Sequence, residues 1–179
     1  PRCLTLPVAR PWGEWLVLGA INWEDRTLAT EVDLEALGLP AGRYHVFNYW
    51  PGRYMGIAEG MVTLDRHLPH ETVILLLKPV SDGPDLLTTT FHVAQTLSEV
   101  TAVERTVGEN GAVRLAVWLE RAGAHFGEVW FTFPPDWRVV SAQVDGRSRK
   151  VSVDGIGVAR LGLTLSGSVE IVVEFAPAE

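Results

Sequence analysis

Shortages come first: the chain has one cysteine, two methionines and no long run of apolar residues, and each lack removes a class of protein. Cys3 alone cannot close an internal disulfide, so stability must come from a packed core, and cysteine usage leaves the compartment open. The longest apolar stretches, Trp15 to Ile21 and Val73 to Leu77, fall far short of the roughly 20 residues that cross a bilayer as a helix. There is no basic tract and no basic amphipathic helix to hold an anionic membrane surface. With 15 Lys and Arg against 22 Asp and Glu, the formal charge of −7 repels phosphate backbones, so neither a nucleic acid nor a membrane partner is expected.

The usual signatures of chemistry are missing too. No Gly-x-Ser-x-Gly elbow supplies an exposed nucleophile, and no glycine-rich loop opens a helix to cradle a phosphate. Cys3 lies at the terminus, with nothing nearby in sequence to activate its thiol. Of five histidines, only His67-x-x-His70 has a spacing that hints at a metal, and zinc needs three or four ligands. The two are expected to bond locally, and no metal or cofactor is expected. Glycoside hydrolysis uses two carboxylates roughly 5 to 10 Å apart. Glu24, Asp25, Glu99, Glu104, Glu120, Glu170 and Glu174 are candidates, but the pattern pairs none of them, and they read as solvated charges on strand faces. No catalytic residue is assigned.

What is present is β-forming. Hydrophobic residues make up 47% and charged residues 21%, ordinary globular usage. Trp15 to Trp23 reads as a strand covered on both faces, and Thr30, Val32 and Leu34 alternate with polar positions as in a half-exposed one. Asp33 to Leu39 suits one helical turn. Further strands are expected at Tyr44 to Trp50, Met61 to Leu64 and Thr72 to Lys78. After the breakers Pro79 to Asp85 come Leu87 to Ala94, Thr101 to Val107, Val113 to Glu120, Glu128 to Phe133, Val139 to Val144, Lys150 to Val153, Val158 to Leu165 and Val169 to Phe175. Asn110-Gly111, Asp145-Gly146, Asp154-Gly155 and Ser166-Gly167 suit tight hairpins. The expectation is an all-β, antiparallel sandwich protein of two tandem subdomains, 1–80 and 86–179.

Aromatics are the candidate binding residues, because sugars present flat C–H faces that stack on indole and phenol rings. The seven tryptophans are many for this length. Trp118 falls on the polar side of its strand. A hairpin symmetric about Ala124 would set Trp118 opposite Trp130 as an outward-facing pair, able to pack on a neighbouring domain or to stack on a sugar. Trp50 and Tyr54 form a second cluster at a strand end. Trp12 and Trp15 are expected near the join to whatever precedes them.

Several motifs, taken in order, carry a resemblance. Leu18 to Trp23 with Asp25, Val32-Asp33-Leu34…Leu37-Gly38-Leu39, Tyr44…Tyr49-Trp50…Gly52, and His70 before an apolar strand together resemble the C-terminal β-domain of α-galactosidase (melibiase) type glycoside hydrolases. Leu86 to Gln95 is similar to the stretch after it, where relatives carry a threonine-rich run, a His and a Gln followed by Gly; here Thr96 stands in place of that Gly. The resemblance covers most of residues 15–100. It implies a missing (β/α)₈ barrel that supplies two catalytic aspartates, so only structural positions carry over: Asn22, Trp23, Gly38, His70 and His92. A chain that begins at Pro1 with no initiating Met is expected to be a segment of a longer polypeptide. The expected role is a non-catalytic accessory β-domain that packs on that barrel, exposing when isolated an apolar patch through which copies could pair. The alternative is a carbohydrate-binding module.

Overall fold

The computed structural model describes residues 2–155 and 157–178, and among them all regular structure is β. The strands are β1 (Cys3–Arg10), β2 (Gly13–Ile21), β3 (Leu28–Asp33), β4 (Arg43–Asn48), β5 (Arg53–Glu59), β6 (Met61–His67) and β7 (Thr72–Pro79), then β8 (Asp85–Thr89), β9 (Val100–Val107), β10 (Val113–Thr132), β11 (Trp137–Val144), β12 (Arg147–Ser148), β13 (Ser152–Asp154) and β14 (Val158–Pro177). The chain divides into two compact units, Pro1–Val80 and Ser81–Glu179.

In the first unit a five-stranded antiparallel sheet, ordered β1-β2-β7-β4-β5, is faced by the β3-β6 pair. Alternation explains the core. Leu16, Leu18 and Ala20 of β2, Val73, Leu75 and Leu77 of β7, and Tyr44 and Val46 of β4 point to one side and meet Val32, Leu34, Val62 and Leu64. β2 is buried continuously from Trp15 to Ala20, as its unbroken apolar run requires. The Asp33 to Leu39 segment makes turns and no regular helix: Asp33 Oδ1 accepts from Glu35 N and Ala36 N, and Leu39 N donates to Leu34 O.

The second unit is built on one seven-stranded sheet. Here the structure corrects two readings. β10 and β14 each run for 20 residues without a hairpin, paired antiparallel throughout. The Ala122-Gly123-Ala124 and Ser166-Gly167 segments, read from the sequence as turns, are a bulge in this ladder, where the register shifts between Arg121↔Gly167 and His125↔Leu165. Gly123 (φ 76°) and Gly167 (φ 72°) take the left-handed conformation that a bulge needs as readily as a hairpin does, so glycine alone could not tell the two apart.

The bulge folds the long ribbon over on itself. Val113 pairs with Phe175, yet the ring of Phe131, about 60 Å further along a straight strand at roughly 3.3 Å per residue, lies 6.2 Å from the ring of Phe175. The inner face of one half therefore packs on the inner face of the other. Leu115, Val117, Leu119, Val129, Phe131, Leu161, Ile171 and Val173 fill the space between.

β8 stops at Thr89 instead of running on to Ala94. Gln95 and Thr96 take positive φ, and His92 Nδ1 accepts from Ala94 N to close a turn. Phe91, buried in this segment, lies over Gly127: a Cβ there would sit 2.5 Å from Phe91 Cδ1. Gly127→Ala is expected to displace the ring and cost about 1–3 kcal/mol, the usual range for overpacking. A urea midpoint equal to that of the unaltered protein would show that the ring has room to move.

Candidate binding surfaces

One end of the first unit gathers three loops. β2 and β4 finish there and β7 starts there, because Ile21 pairs with Thr72 and Asn48 with Leu75. Asn22, only 2% exposed, ties two of the loops together. Its Nδ2 donates to the carbonyls of Arg26 (2.9 Å), His67 (3.0 Å) and Leu68 (2.8 Å), its Oδ1 accepts from Glu24 N, and its own N–H donates to Glu71 O. Carbonyls on one side and an N–H on the other fix the amide orientation.

His67 is fully buried beside it. Nε2 faces the acceptor-only carbonyl of Glu71 at 3.0 Å and so donates, leaving Nδ1 to accept from Thr30 Oγ1 at 2.9 Å. Leu68-Pro69-His70-Glu71 forms a β-turn closed by Glu71 N to Leu68 O, with Pro at its second position and His70 at φ 57° in its third. The Glu71 carboxylate accepts from Leu68 N, and exposed His70 meets Asp25 at 2.9 Å. The two histidines of the H-x-x-H spacing thus turn to different partners.

Two indoles stand out from this network. Trp23, next to Asn22, is 61% exposed, and Trp50, on the Tyr49-Trp50-Pro51-Gly52 turn, is 63% exposed. The Trp50 ring sits edge-on to Tyr49 at 5.2 Å, and Gly52 N donates to Tyr49 O. Tyr54 differs: half-buried on β5, it bonds His45 Nδ1 through its hydroxyl at 2.8 Å.

In the second unit Trp118 and Trp130 do not meet. They lie on the same strand on either side of the bulge, and since the inner faces pack together, their side chains leave from opposite outer faces. Trp130 is 5% exposed; Arg160 lies 5.3 Å over its ring, and its Nε1 donates to Glu128. This ring offers no free platform. Trp118 is half-exposed and lines a hollow of about 330 Å³ with Thr101, Glu120, Asp145, Ser168 and Glu170. Asp145 and Glu170 are held in place by mutual hydrogen bonds, Glu170 N to Asp145 Oδ1 and Asp145 N to Glu170 O, both 2.9 Å.

A second hollow, of about 510 Å³, opens on the same outer face toward the other end of the sheet, lined by Thr106, Asn110, Arg114, Arg138, Val140 and Glu174 among others. The sequence reading missed it, since Arg114 and Arg138 come together only through the β10-β14-β11 order. Glu99 is the one buried carboxylate among the described residues, and its Oε1 accepts from Thr89 Oγ1.

No family model matches the sequence, and no curated protein matches it. Among solved structures, an isomalto-dextranase of Arthrobacter globiformis T6 complexed with panose is similar at 16% identity and a TM-score of 0.35. That match covers 97% of this chain and 34% of the other, so the chain spans about a third of the enzyme's length. The neighbour is an isomalto-dextranase, not an α-galactosidase.

Proposed function

We propose that the chain is a non-catalytic accessory β-module of a glycoside hydrolase of the α-galactosidase type that its sequence resembles, seated on a catalytic barrel through the loop end of its first unit. The observation that carries this reading is the exposure, at one end of the unit, of Trp23 on a loop pinned by Asn22, His67 and Glu71 and of Trp50 on a turn held by Gly52 N to Tyr49 O and Tyr49 N to Ile74 O. Exposed indoles on a rigid support suit the centre of a protein interface, where binding costs little ordering entropy.

Two measurements test it. Purified chain is expected to release no aglycone from an aryl α-galactoside; turnover would sink the non-catalytic reading. With a βα-repeating segment encoded upstream in the same frame, the chain is expected to form a one-to-one complex. Trp23→Ala and Trp50→Ala, both at exposed positions, should each weaken that complex tenfold or more while leaving the fold intact, since hot-spot truncations cost about 2 kcal/mol or more. A start codon directly before Pro1, or complexes indifferent to both substitutions, would overturn it.

A second reading is favoured by the hollow at Trp118. A half-exposed indole ringed by hydroxyl and carboxylate acceptors has the composition of a sugar subsite: stacking for a C–H face and acceptors for hydroxyls.

A further inference from the structure

We propose that the outer face of the seven-stranded sheet, from Trp118 to Arg138, binds one extended oligosaccharide that is neutral over Trp118 and carries a single carboxylate at its Arg138 end. The inference rests on the second reading above and adds the charge of the ligand and its direction.

The two hollows belong to one face. On β10, Arg114, Ala116 and Trp118 share a side; Glu174 and Glu170 of β14 stand opposite Arg114 and Trp118. Arg138 of β11 pairs with Ala176, which places it on that side beyond Glu174. Six residues separate the level of Trp118 from that of Arg138 along the strands, so the face is about 20 Å long at roughly 3.3 Å per residue, longer than any one sugar ring. Where the hollows meet, Arg114 lines one and Glu170 the other, 3.9 Å apart over buried Ala116.

Charge divides this face at its two ends, with exposed Glu104 of β9, opposite Ala116, standing between them. Around Trp118 the ionisable groups are Glu120, Asp145 and Glu170, all acids. They accept hydrogen bonds from sugar hydroxyls and repel a carboxylate. In the other hollow two guanidinium groups stand against one carboxylate, and Glu174 already accepts from Ser141 Oγ at 2.9 Å. Arg114 has only the long contact to Glu170, and Arg138 has no ion pair or side-chain hydrogen bond among the described residues. A planar fork left open beside a second guanidinium is the geometry that binds a carboxylate through two parallel hydrogen bonds. The net charge of −7 and the acidic half of the face disfavour a densely charged polyanion. One acid on an otherwise neutral chain satisfies both halves.

Calorimetric titration of the full chain tests this with three probes: a neutral galacto-tetraose, the same tetrasaccharide with one terminal residue oxidised to the uronic acid, and an oligomer made entirely of uronic acids. The singly acidic probe is expected to bind at least tenfold tighter than the neutral one. That advantage should vanish in Arg138→Gln and shrink as salt rises, while Trp118→Ala removes binding of both. The all-acid oligomer should bind more weakly than the singly acidic one. Equal affinity for neutral and singly acidic probes would overturn the inference and leave the sugar reading standing. Tightest binding of the all-acid oligomer would overturn the placement of charge at one end. No heat with any probe at millimolar concentration would overturn the inference and the sugar reading together.

Discussion

Asn22→Asp is expected to unfold the loop end of the first unit, although it exchanges an NH₂ for an oxygen of nearly the same size. In the native chain the two Nδ2 protons serve three carbonyls, those of Arg26, His67 and Leu68. Aspartate has no proton to give them, so three acceptors lose their donor while a carboxylate takes its place among them, in a site 2% exposed. Leaving one buried polar group unsatisfied costs about 1–3 kcal/mol, and an uncompensated buried charge about 3–5 kcal/mol. A loss of about 4 kcal/mol is expected. For a domain of this size, where each kcal/mol moves the midpoint by roughly 4–8 °C, Tm should fall by more than about 15 °C. Asn22→Ala removes the donors without adding charge and should cost about half as much. Scanning calorimetry of both variants decides it; equal losses would mean that water reaches the three carbonyls once the amide is gone.

Asn22→Ala also bears on function. Trp23 follows Asn22 directly, and the segment that carries it is closed by Glu24 N to Asn22 Oδ1. An indole on a mobile loop must be ordered on binding, at about 0.5–1.5 kcal/mol for each immobilised side chain. If the accessory reading holds, Asn22→Ala should therefore weaken the complex at a temperature where the variant is still folded, without touching the interface.

The fold class was legible because strand residues alternate or run apolar in short segments cut by turn chemistry. β2, β4, β7, β9 and β11 all fall where those patterns put them, and Asp145-Gly146 makes its hairpin with both residues at positive φ. Two edge strands of the first unit were illegible. Pro7 in β1 and Gly56 in β5 are breakers in any propensity scale; Pro7 is tolerated because an edge strand leaves one side of the ladder unpaired, and Gly56, at φ 104°, sits where the β4-β5 register shifts. The error with consequences was the bulge. Ala122-Gly123-Ala124 and Ser166-Gly167 carry turn composition, and only their position opposite each other across the β10-β14 ladder makes them a bulge. That is long-range information, and with it went the Trp118–Trp130 pair. Trp118 itself was found from its polar neighbours, whereas the arginine hollow needed the strand order.

Gly157→Ala should damage the second unit about as severely, for a different reason. Gly157 has φ 76°, where a residue with a Cβ loses roughly 1–2 kcal/mol, and a Cβ built there would meet the backbone oxygen of Phe133 closer than real Cβ atoms come. A side chain could swing away; this oxygen cannot, because Phe133 N donates to Gly157 O at 2.9 Å and Thr132 pairs with Val158 beside it. Relief must come from opening the end of the β10-β14 ladder. That shifts Phe133, whose ring lies 5.5 Å from Phe175 in the core where the two halves of the folded ribbon meet. Strain and lost packing together are expected to cost about 4 kcal/mol, at the upper end for single substitutions. Gly155→Ala is the matched control: its φ is not positive and nothing lies within 4 Å of its Cβ, so it should change stability by less than about 0.5 kcal/mol. Urea denaturation that finds the two variants equally stable would mean that the ribbon end yields freely. The packing of Phe133 on Phe175 could not then be what holds the folded strands together.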